Sequence, residues 1–403
     1  MRLKDITTLS PQYVGKKIDG DISFVPMECL RNGNIDHQTI PFSQAKGKYT
    51  YFGNGDLLIA KVTPCFENGN IAIAKNLLNG VGFGSSEIFV LRPNKRVTSK
   101  YLFYLSQSSD FQNKACATMC GVGGLKRISP LFMRTYEINI PNLTIQQRIA
   151  NFLYTKLSEI DIQVSLLTSK RDAYLRLKKS IINRAVTKGL NPDVKMKDSG
   201  IEWIRNIPEH WELKRMKDIY TERKEVSVTG KEDLLSVSEY YGVARRKDKI
   251  SSDDEFESRA DSLVGYKICK TNDLVMNIML AWKTGLGVSD YDGIVSPAYA
   301  VYKGNKIVSH YYHYLLRSRM YVTEFKRHSK GIIDSRLRLY NDRFNNITAI
   351  YPPLSEQHAI ATYLDEKCLK IDTIVANLEK QISKYADLKR SLIDEVITGK
   401  RAV

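Results

Sequence analysis

The lysine and arginine side chains are the residues of this sequence that most clearly suggest a binding function. Several stand in predicted loops beside aromatic or amide residues, as in the stretch from Asn277 to Lys283. Such side chains bind phosphate oxygens, and arginine or lysine pairs with guanine as asparagine or glutamine pairs with adenine. The candidate binding residues are Lys61, Lys126, Arg127, Arg245, Arg246, Lys283, Arg336 and Arg338, with Arg317 and Arg319 in a wider set. Together they predict contact with phosphate; a solvated basic face is the alternative for any one of them.

The charge of the whole chain favours the same kind of partner. Its 403 residues include 61 Lys and Arg against 44 Asp and Glu, a formal net charge of +17. Such an excess favours nucleic acid or an anionic membrane surface. No apolar run approaches the length of a membrane span, and no hydrophobic leader opens the chain. We therefore expect a cytoplasmic protein that does not bind membranes.

Residues that could support catalysis form no recognisable constellation. The glycines at 80–84 and 121–124 complete neither a dinucleotide fingerprint nor a Walker A motif, so both stretches are predicted to be tight turns. Tyr351 to Leu354 is superficially similar to the Asn-Pro-Pro-aromatic site of amino-methyltransferases, but lacks the Asn and the aromatic residue. The acidic residues at 253–257 favour a solvated loop, and no histidine pairs with a nucleophile at a known spacing. We expect a chain that is not an enzyme.

Six scattered cysteines point to reduced thiols. Cys116 and Cys120 are close in sequence, but no second pair or nearby histidine completes a zinc ligand set. A metal at this pair is the alternative; we expect none.

The chain repeats itself, and the repeat predicts its architecture. Residues 141–187 and 352–398, offset by 211, share identical residues throughout their length, among them the glutamines Gln146 and Gln357. A repeat of this length predicts two structural halves.

Each copy of the repeat predicts one long helix. Thr144 and Ser355 are the expected N-caps, and neither Gly nor Pro follows until Gly189 and Gly399. Apolar residues then recur at alternating steps of four and three, typical of a coiled-coil seam. The seam comprises Leu153, Leu157, Ile160, Val164, Leu167, Tyr174 and Ile181 in the first copy, and Leu364, Ile371, Val375, Leu378, Ile382, Tyr385 and Leu392 in the second. The matched seams favour pairing of the two helices; packing of each helix on its own globular domain is the alternative.

The remaining segments predict two similar mixed α/β domains. Strand-like runs at 57–60, 71–74 and 87–91 precede a helix expected at about 99–113 with Ser99 as its cap. Short stretches of the first domain reappear in the second, with different residues between them. The expected globular domains are residues 1–140 and 215–351, and the expected long helices are 141–190 and 352–403. A turn-rich linker is expected at 191–214, and its two tryptophans should pack it against another part of the protein.

This organisation resembles the specificity (S) subunit of type I restriction–modification systems. The resemblance is carried by the two helix openings Pro141–Gln147 and Pro352–Gln357 and by the linker from Ser199 to Trp211. Two further stretches, Lys61–Gly69 and Val295–Tyr299, resemble those of particular target recognition domains. The resemblance covers essentially the whole chain. It departs from the family pattern at Ile145, where the second copy has the family-like Glu356.

The resemblance implies a fold and a function. The fold would be two target recognition domains separated by two long helices that form an antiparallel coiled coil, with a pseudo-twofold internal repeat. Each domain would recognise one half of a bipartite target in double-stranded DNA. Two methyltransferase subunits and the restriction and translocase subunits would be the protein partners. S-adenosylmethionine, ATP and Mg would bind those partners, and this chain would hold no cofactor or metal. A coiled-coil scaffold without sequence-specific DNA binding and an enzyme with an unrecognised site are the alternatives.

Overall fold

A computed structural model describes residues 1–15, 18–122, 124–248 and 262–403. The predicted acidic loop at 253–257 and Gly123 lie outside the described residues. The chain forms two compact units: Met1–Thr168 with Glu379–Val403, and Ser169–Leu378. We call them unit 1 and unit 2. The boundaries pass through both long helices, so each helix contributes one part to each unit.

Unit 1 combines short strands with short helices. Its strands are β1 (Thr7–Leu9), β2 (Asp21–Val25), β3 (Leu30–Arg31), β4 (Asn34–Ile35), β5 (Gln38–Pro41), β6 (Thr50–Gly53), β7 (Leu57–Ala60), β8 (Ile71–Ile73), β9 (Val81–Gly84) and β10 (Ile88–Pro93). Its helices are α1 (Phe42–Ala45), α2 (Ser99–Leu105), α3 (Ser109–Ala117), α4 (Phe132–Thr135) and the first part of α5 (Leu143–Lys188).

Two four-stranded sheets organise unit 1. One has the order β1-β10-β7-β8 with every pair antiparallel, and the other has the order β5-β2-β9-β6 with β2 parallel to β9. All four residues of β7 are buried, so this strand runs through the core. The prediction of a tight turn at 80–84 was wrong, because 81–84 forms β9. A Cβ at Gly82 would lie 2.1 Å from the ring of Phe52, so the glycine admits the ring of the neighbouring strand.

The helical prediction at 99–113 was wrong in detail. The segment forms two helices, α2 and α3, and the N-cap of α2 is Thr98, whose hydroxyl accepts a hydrogen bond from the Tyr101 amide at 3.2 Å. Ser99 lies inside the helix, and its hydroxyl donates instead to the Gly55 carbonyl at 2.7 Å.

Unit 2 also combines short strands with short helices, but its described residues form one four-stranded sheet and several two-stranded ones. Its strands are β11 (Met196–Asp198), β12 (Asn206–Pro208), β13 (Glu212–Arg215), β14 (Tyr220–Glu222), β15 (Leu235–Ser238), β16 (Gly242–Arg245), β17 (Lys267–Cys269), β18 (Leu274–Asn277), β19 (Leu286–Val288), β20 (Gly293–Val295), β21 (Tyr299–Gly304) and β22 (Thr348–Tyr351). The helices are the last part of α5, α6 (Met216–Ile219), α7 (Ser309–Leu316), α8 (Arg319–His328), α9 (Asn341–Asn346) and the first part of α10 (Leu354–Ile397). The central sheet has the antiparallel order β14-β21-β18-β19.

The linker predicted at 191–214 packs on unit 2. Trp211 is fully buried in the unit's main hydrophobic core, and Trp203 stands edge-on to Tyr321 with ring centroids 5.1 Å apart. The indole of Trp211 donates to the Glu356 carboxylate at 3.0 Å, and His210 hydrogen-bonds the same carboxylate. Trp211 and His210 therefore attach the linker to the first turn of α10.

The long helices α5 and α10 contain 46 and 44 residues, which correspond to about 65 to 70 Å each. Every predicted seam position is buried or half-buried. In unit 1, Leu153 and Leu157 share a core with Leu392. In unit 2, Ile181 packs against the core that contains Leu364.

Two ion pairs fix the pairing of the helices. Lys389 contacts Asp161 at 2.6 Å within unit 1, and Lys178 contacts Asp372 at 2.6 Å within unit 2. These residues are equivalent in the repeat, so each unit makes the same pair with the helices exchanged. This pattern is what antiparallel pairing of two copies of one helix requires.

Both predicted helix caps were wrong, each by two residues. Helix α5 begins at Leu143, and Asn142 caps it, because its side-chain oxygen accepts from the Ile145 amide at 3.0 Å. Helix α10 begins at Leu354, directly after two prolines, so Ser355 lies inside it. In α5, Asn142 precedes the helix and its side chain reaches a free amide of the first turn, whereas Thr144 already lies inside the helix.

The repeated glutamines Gln146 and Gln357 are fully buried and fasten each helix to its unit. The side-chain oxygen of Gln146 accepts from the Thr98 amide at 2.9 Å, and its amide group donates to the carbonyls of Arg96 and Pro141. The oxygen of Gln357 accepts from the Val308 amide at 2.9 Å. In both units the glutamine therefore ties the start of a long helix to the start of a shorter one.

Candidate nucleic-acid interface

The structure brings three of the predicted residues together in unit 1. Lys61 follows β7, and Lys126 and Arg127 lie in a segment that pairs with the residues after that strand. The Ile128 amide donates to the Lys61 carbonyl, and the Thr63 amide donates to the Lys126 carbonyl, both at 3.0 Å. We call Lys61, Lys126 and Arg127 the first basic cluster.

Arg127 is held in place by a carboxylate. Its Nε and Nη2 atoms donate to the two oxygens of Glu87 at 2.9 and 3.1 Å. This bidentate bond lowers the pKa of the Glu87 carboxyl and raises the pKa of Arg127. The Nη1 group takes no part in the pair, so the guanidinium plane is fixed while one edge still faces outward.

Lys61 is half-buried, unlike its neighbours. Its ammonium group donates to the Ser86 carbonyl at 2.6 Å and lies 4.8 Å from the centre of the Phe89 ring. Burial lowers the pKa of Lys61, an effect that Glu87 opposes and Arg127 reinforces. The exposed Lys126 is therefore the better-placed phosphate ligand of the two.

A second set comes together in unit 2. Lys283 ends a short 3-10 helix, and Arg336 and Arg338 lie in the segment that follows α8. The Leu339 amide donates to the Ile278 carbonyl at 2.8 Å and joins this segment to the residues after β18. Leu339 is the repeat equivalent of Ile128, so the same backbone bond carries a basic segment in both units.

Trp282 is the centre of this second set. The ammonium groups of Lys283 and Lys326 lie 4.8 and 5.0 Å from the centre of its ring. The indole nitrogen donates to the Met279 carbonyl at 3.0 Å, which fixes the ring, and Lys326 also pairs with Asp334 at 2.9 Å. A half-exposed ring beside two cations suits contact with a base or sugar next to phosphates. We call Lys283, Lys326, Arg336 and Arg338 the second basic cluster.

Arg245 and Arg246 lie at the end of β16 and directly after it. Arg245 is the last residue of that strand, and its guanidinium lies 4.7 Å from the centre of the Tyr291 ring and 3.5 Å from Asp233. Arg246 begins the 3-10 helix that precedes the undescribed residues. The structure does not place either residue in the second basic cluster.

Arg317 is a positioning residue rather than a surface residue. It donates to four backbone carbonyls: those of Thr284 and Leu286 after the 3-10 helix, and those of Glu239 and Tyr240 in the β15–β16 turn. Its assignment to the wider set of surface cations was therefore wrong. The four bonds hold the Lys283 loop against a turn in which Tyr240 is 90% exposed. No sequence motif marks Arg317, because its partners are main-chain atoms distant in sequence.

Catalytic groups are not apparent at either cluster. Among the described residues, no group of three or more His, Cys, Asp or Glu side chains could hold a metal ion. Cys116 and Cys120 are free thiols. Within the same ranges, no helix has the length and apolar character needed to cross a bilayer.

Comparison with known proteins shows what this chain is similar to. The family model for the type I restriction modification DNA specificity domain matches residues 1–167. The chain is 35% identical over 151 residues to the type I restriction enzyme EcoEI specificity subunit of Escherichia coli. That match covers 36% of this chain and 25% of the relative. This chain is also 31% identical over 216 residues to the EcoAI specificity subunit of the same organism. That second match covers 52% of this chain and 35% of the relative. The chain thus spans about a quarter and about a third of these relatives.

The fold agrees over a longer stretch. A chain from a solved structure concerned with complex assembly and conformational transition of the type I R-M system matches with a TM-score of 0.75 at 14% identity. That match covers 98% of this chain and 96% of the other. The HsdS subunit of Thermoanaerobacter tengcongensis matches with a TM-score of 0.55 at 16% identity, over 100% of this chain and 96% of that one.

Residues 1–167 are similar to a type I DNA specificity domain, and the chain as a whole shares its fold with the two solved structures. The resemblance to specificity subunits of type I restriction–modification systems that was drawn from the sequence is confirmed. The fold-class prediction is likewise confirmed, with mixed helix and strand units and two long helices.

Proposed function

We propose that this chain is the DNA-recognition subunit of a type I restriction–modification complex and does no chemistry itself. Each unit contacts one half of a bipartite target in double-stranded DNA. The observation that carries this proposal is the recurrence of one backbone bond, Ile128 to Lys61 and Leu339 to Ile278, with a basic cluster beside each copy. The positive charges suit phosphates, and the unlike side chains around them suit different bases.

The partners follow from the family. We propose that two methyltransferase subunits bind the paired helices and adjacent surfaces, and that restriction and translocase subunits join that complex. S-adenosylmethionine, ATP and Mg would belong to those partners. The two Escherichia coli relatives are specificity subunits, which supports a recognition role without catalysis.

A footprint on DNA tests the proposal. The full chain, assembled with its methyltransferase subunits, is expected to protect two short stretches separated by an unprotected spacer. Binding is expected to weaken steeply between 50 and 200 mM salt, by about a hundredfold or more, because phosphate contacts release counterions. Absence of any protected stretch, or affinity that does not respond to salt, would favour a coiled-coil scaffold without sequence-specific DNA binding.

A further inference from the structure

Each basic cluster borders a turn whose apolar side chains stand in solvent. In unit 1 the turn follows α3, where Val122 is 91% exposed and Leu125 is 56% exposed. In unit 2 the corresponding turn follows α8, where Ile332 is 99% exposed and Ile333 is 53% exposed. We call these the two apolar turns. Exposure of a single apolar residue is ordinary, but paired exposure at equivalent places in both repeats calls for a partner.

The backbone holds each turn in place. In unit 1 the Cys120 and Arg127 backbones exchange two hydrogen bonds, at 3.0 and 2.9 Å, and close the turn from below. In unit 2 the Lys330 and Arg338 backbones exchange two bonds, both at 3.0 Å. The hydroxyl of Thr63 also donates to the Gly124 carbonyl at 2.7 Å. The ends of each turn are therefore joined by backbone hydrogen bonds, and the apolar residues lie between those ends.

Cations follow both apolar turns in the sequence. Lys126 and Arg127 follow the first turn directly, and Arg336 and Arg338 follow the second within a few residues. A protein partner would bury such apolar side chains among other apolar groups, whereas here fixed positive charges adjoin them. Apolar turns beside cations suit duplex DNA, which presents phosphates on either side of a groove. Within the groove, the thymine methyl group and the faces of unstacked bases are the apolar surfaces.

We propose that the two apolar turns contact base surface in the DNA groove while the adjacent cations bind the flanking phosphates. The proposal rests on the function proposed above. Two kinds of base surface share this chemistry: the methyl group of thymine at the groove edge, and the face of a base in a partly unstacked step. In either case the turns add affinity that does not depend on counterion release.

Salt dependence separates the turns from the cations. The test uses the full chain and a duplex carrying its target, with paired serine substitutions V122S and L125S, or I332S and I333S. Each pair is expected to weaken binding about five- to tenfold at every salt concentration, because apolar surface is lost without any phosphate contact. V14S and V228S, at positions 95% and 82% exposed and outside both basic clusters, are the matched controls and should bind like wild type. Unchanged thermal melting would show that the variants fold.

Two DNA substrates distinguish the two kinds of base surface. If thymine methyl groups are the contact, replacing target thymines with uracil should weaken DNA binding by the wild-type chain and leave DNA binding by the serine variants unchanged. If an unstacked step is the contact, the fluorescence of 2-aminopurine placed at that step should increase when the wild-type chain binds but not when the serine variants bind. Either result supports the proposal.

The contrary outcomes are also distinct. If wild type binds its target with the expected salt dependence while both serine pairs match the controls, the apolar turns do not contact DNA and the proposed function stands. If the serine pairs bind DNA normally but lose the methyltransferase subunits, the turns are protein contacts and the proposal is overturned. If wild type shows no target binding, the proposed function fails, and this inference fails with it.

Discussion

Units 1 and 2 solve the same structural problems with the same buried groups but present different surfaces. In both, a buried aspartate stands just before a central strand: Asp56 before β7, and Asp273 before β18. Its arginine partner comes from elsewhere in each unit. Arg92, on β10, binds Asp56 at 2.7 Å, whereas Arg223, just after β14, binds Asp273 at 2.6 Å. The buried carboxylate is the fixed requirement, and the source of its countercharge is free to differ.

The basic clusters differ more than the frames that carry them. The first has a guanidinium gripped by Glu87 and no exposed aromatic ring, while the second is built around Trp282 and its two lysines. Side chains that satisfy buried polar groups are restricted by the fold, because an unpaired buried group costs about 1–3 kcal/mol. Side chains facing solvent carry no such penalty, so they can vary with whatever each unit binds.

The largest expected effect distinguishes the two buried aspartates. Asp273→Ala should destabilise the protein by about 3–5 kcal/mol, because it removes the buried partner of Arg223 and leaves that arginine only its ion pair with the exposed Glu225. Asp56→Ala should cost less, about 2–3 kcal/mol, since Arg92 is 38% exposed against 14% for Arg223 and can reach water. Urea denaturation measures both values, with the exposed Asp193→Ala as control. Equal losses would show that exposure of the arginine does not matter.

The buried glutamines give the next comparison. Gln146 serves three backbone groups with its side chain, and Gln357 serves two. Replacement by leucine should cost about 2–4 kcal/mol at 146 and about 1–3 kcal/mol at 357, because each abandoned group loses its partner. The same denaturation experiment, with Gln147→Leu as the exposed control, checks the order. A larger loss at 357 would contradict it.

His313 makes unit 2 sensitive to acid. Burial lowers its pKa to about 3, and its neutral Nδ1 accepts a hydrogen bond from the Val288 amide at 3.2 Å. The unfolded chain takes up a proton near its ordinary pKa of about 6.5, so the stability that neutral His313 supplies is present above that pH and is lost as pH falls toward 3. The slope from this group is about 1.4 kcal/mol per pH unit between roughly pH 6 and 4.

His313→Gln tests this acid sensitivity. Glutamine keeps an acceptor but cannot be protonated, so the fall in melting temperature between pH 6.5 and 4.5 should become shallower. The exposed His37→Gln is the matched control and should leave the profile unchanged. Identical profiles for wild type and His313→Gln would show that the histidine does not titrate on unfolding.

The smallest effects concern single exposed cations. Lys126→Ala and Arg336→Ala should each weaken DNA binding about three- to tenfold at low salt and reduce the slope of log affinity against log salt by about one. Lys61→Ala should change that slope less, since its ammonium group is half-buried against a carbonyl. Titration over a range of salt concentrations measures the slopes. Equal slopes for Lys61→Ala and Lys126→Ala would show that burial does not separate these two lysines.

Periodic and repeated features were predictable from the sequence, and single contacts over long distances were not. The seam residues recur at helical spacing, so the long helices and their pairing could be expected before the structure. The cluster of Lys61 with Lys126 and Arg127 could be only partly foreseen, because the bond between Ile128 and Lys61 spans 67 positions of sequence without any periodic signal. Arg317 was misassigned for the same reason: its four partners are carbonyls that carry no sequence signature.

Exchange of one unit's recognition domain tests the central claim most directly. The claim is that each unit reads one half of the target independently. Replacing residues 1–140 with the corresponding segment of another specificity subunit, in cells that carry the whole system, should change one half of the methylated motif and leave the other half as it was. The measurement is sequencing of methylated sites across the genome, compared with the wild-type chain. A motif that changes in both halves, or in neither while methylation persists, would contradict the account.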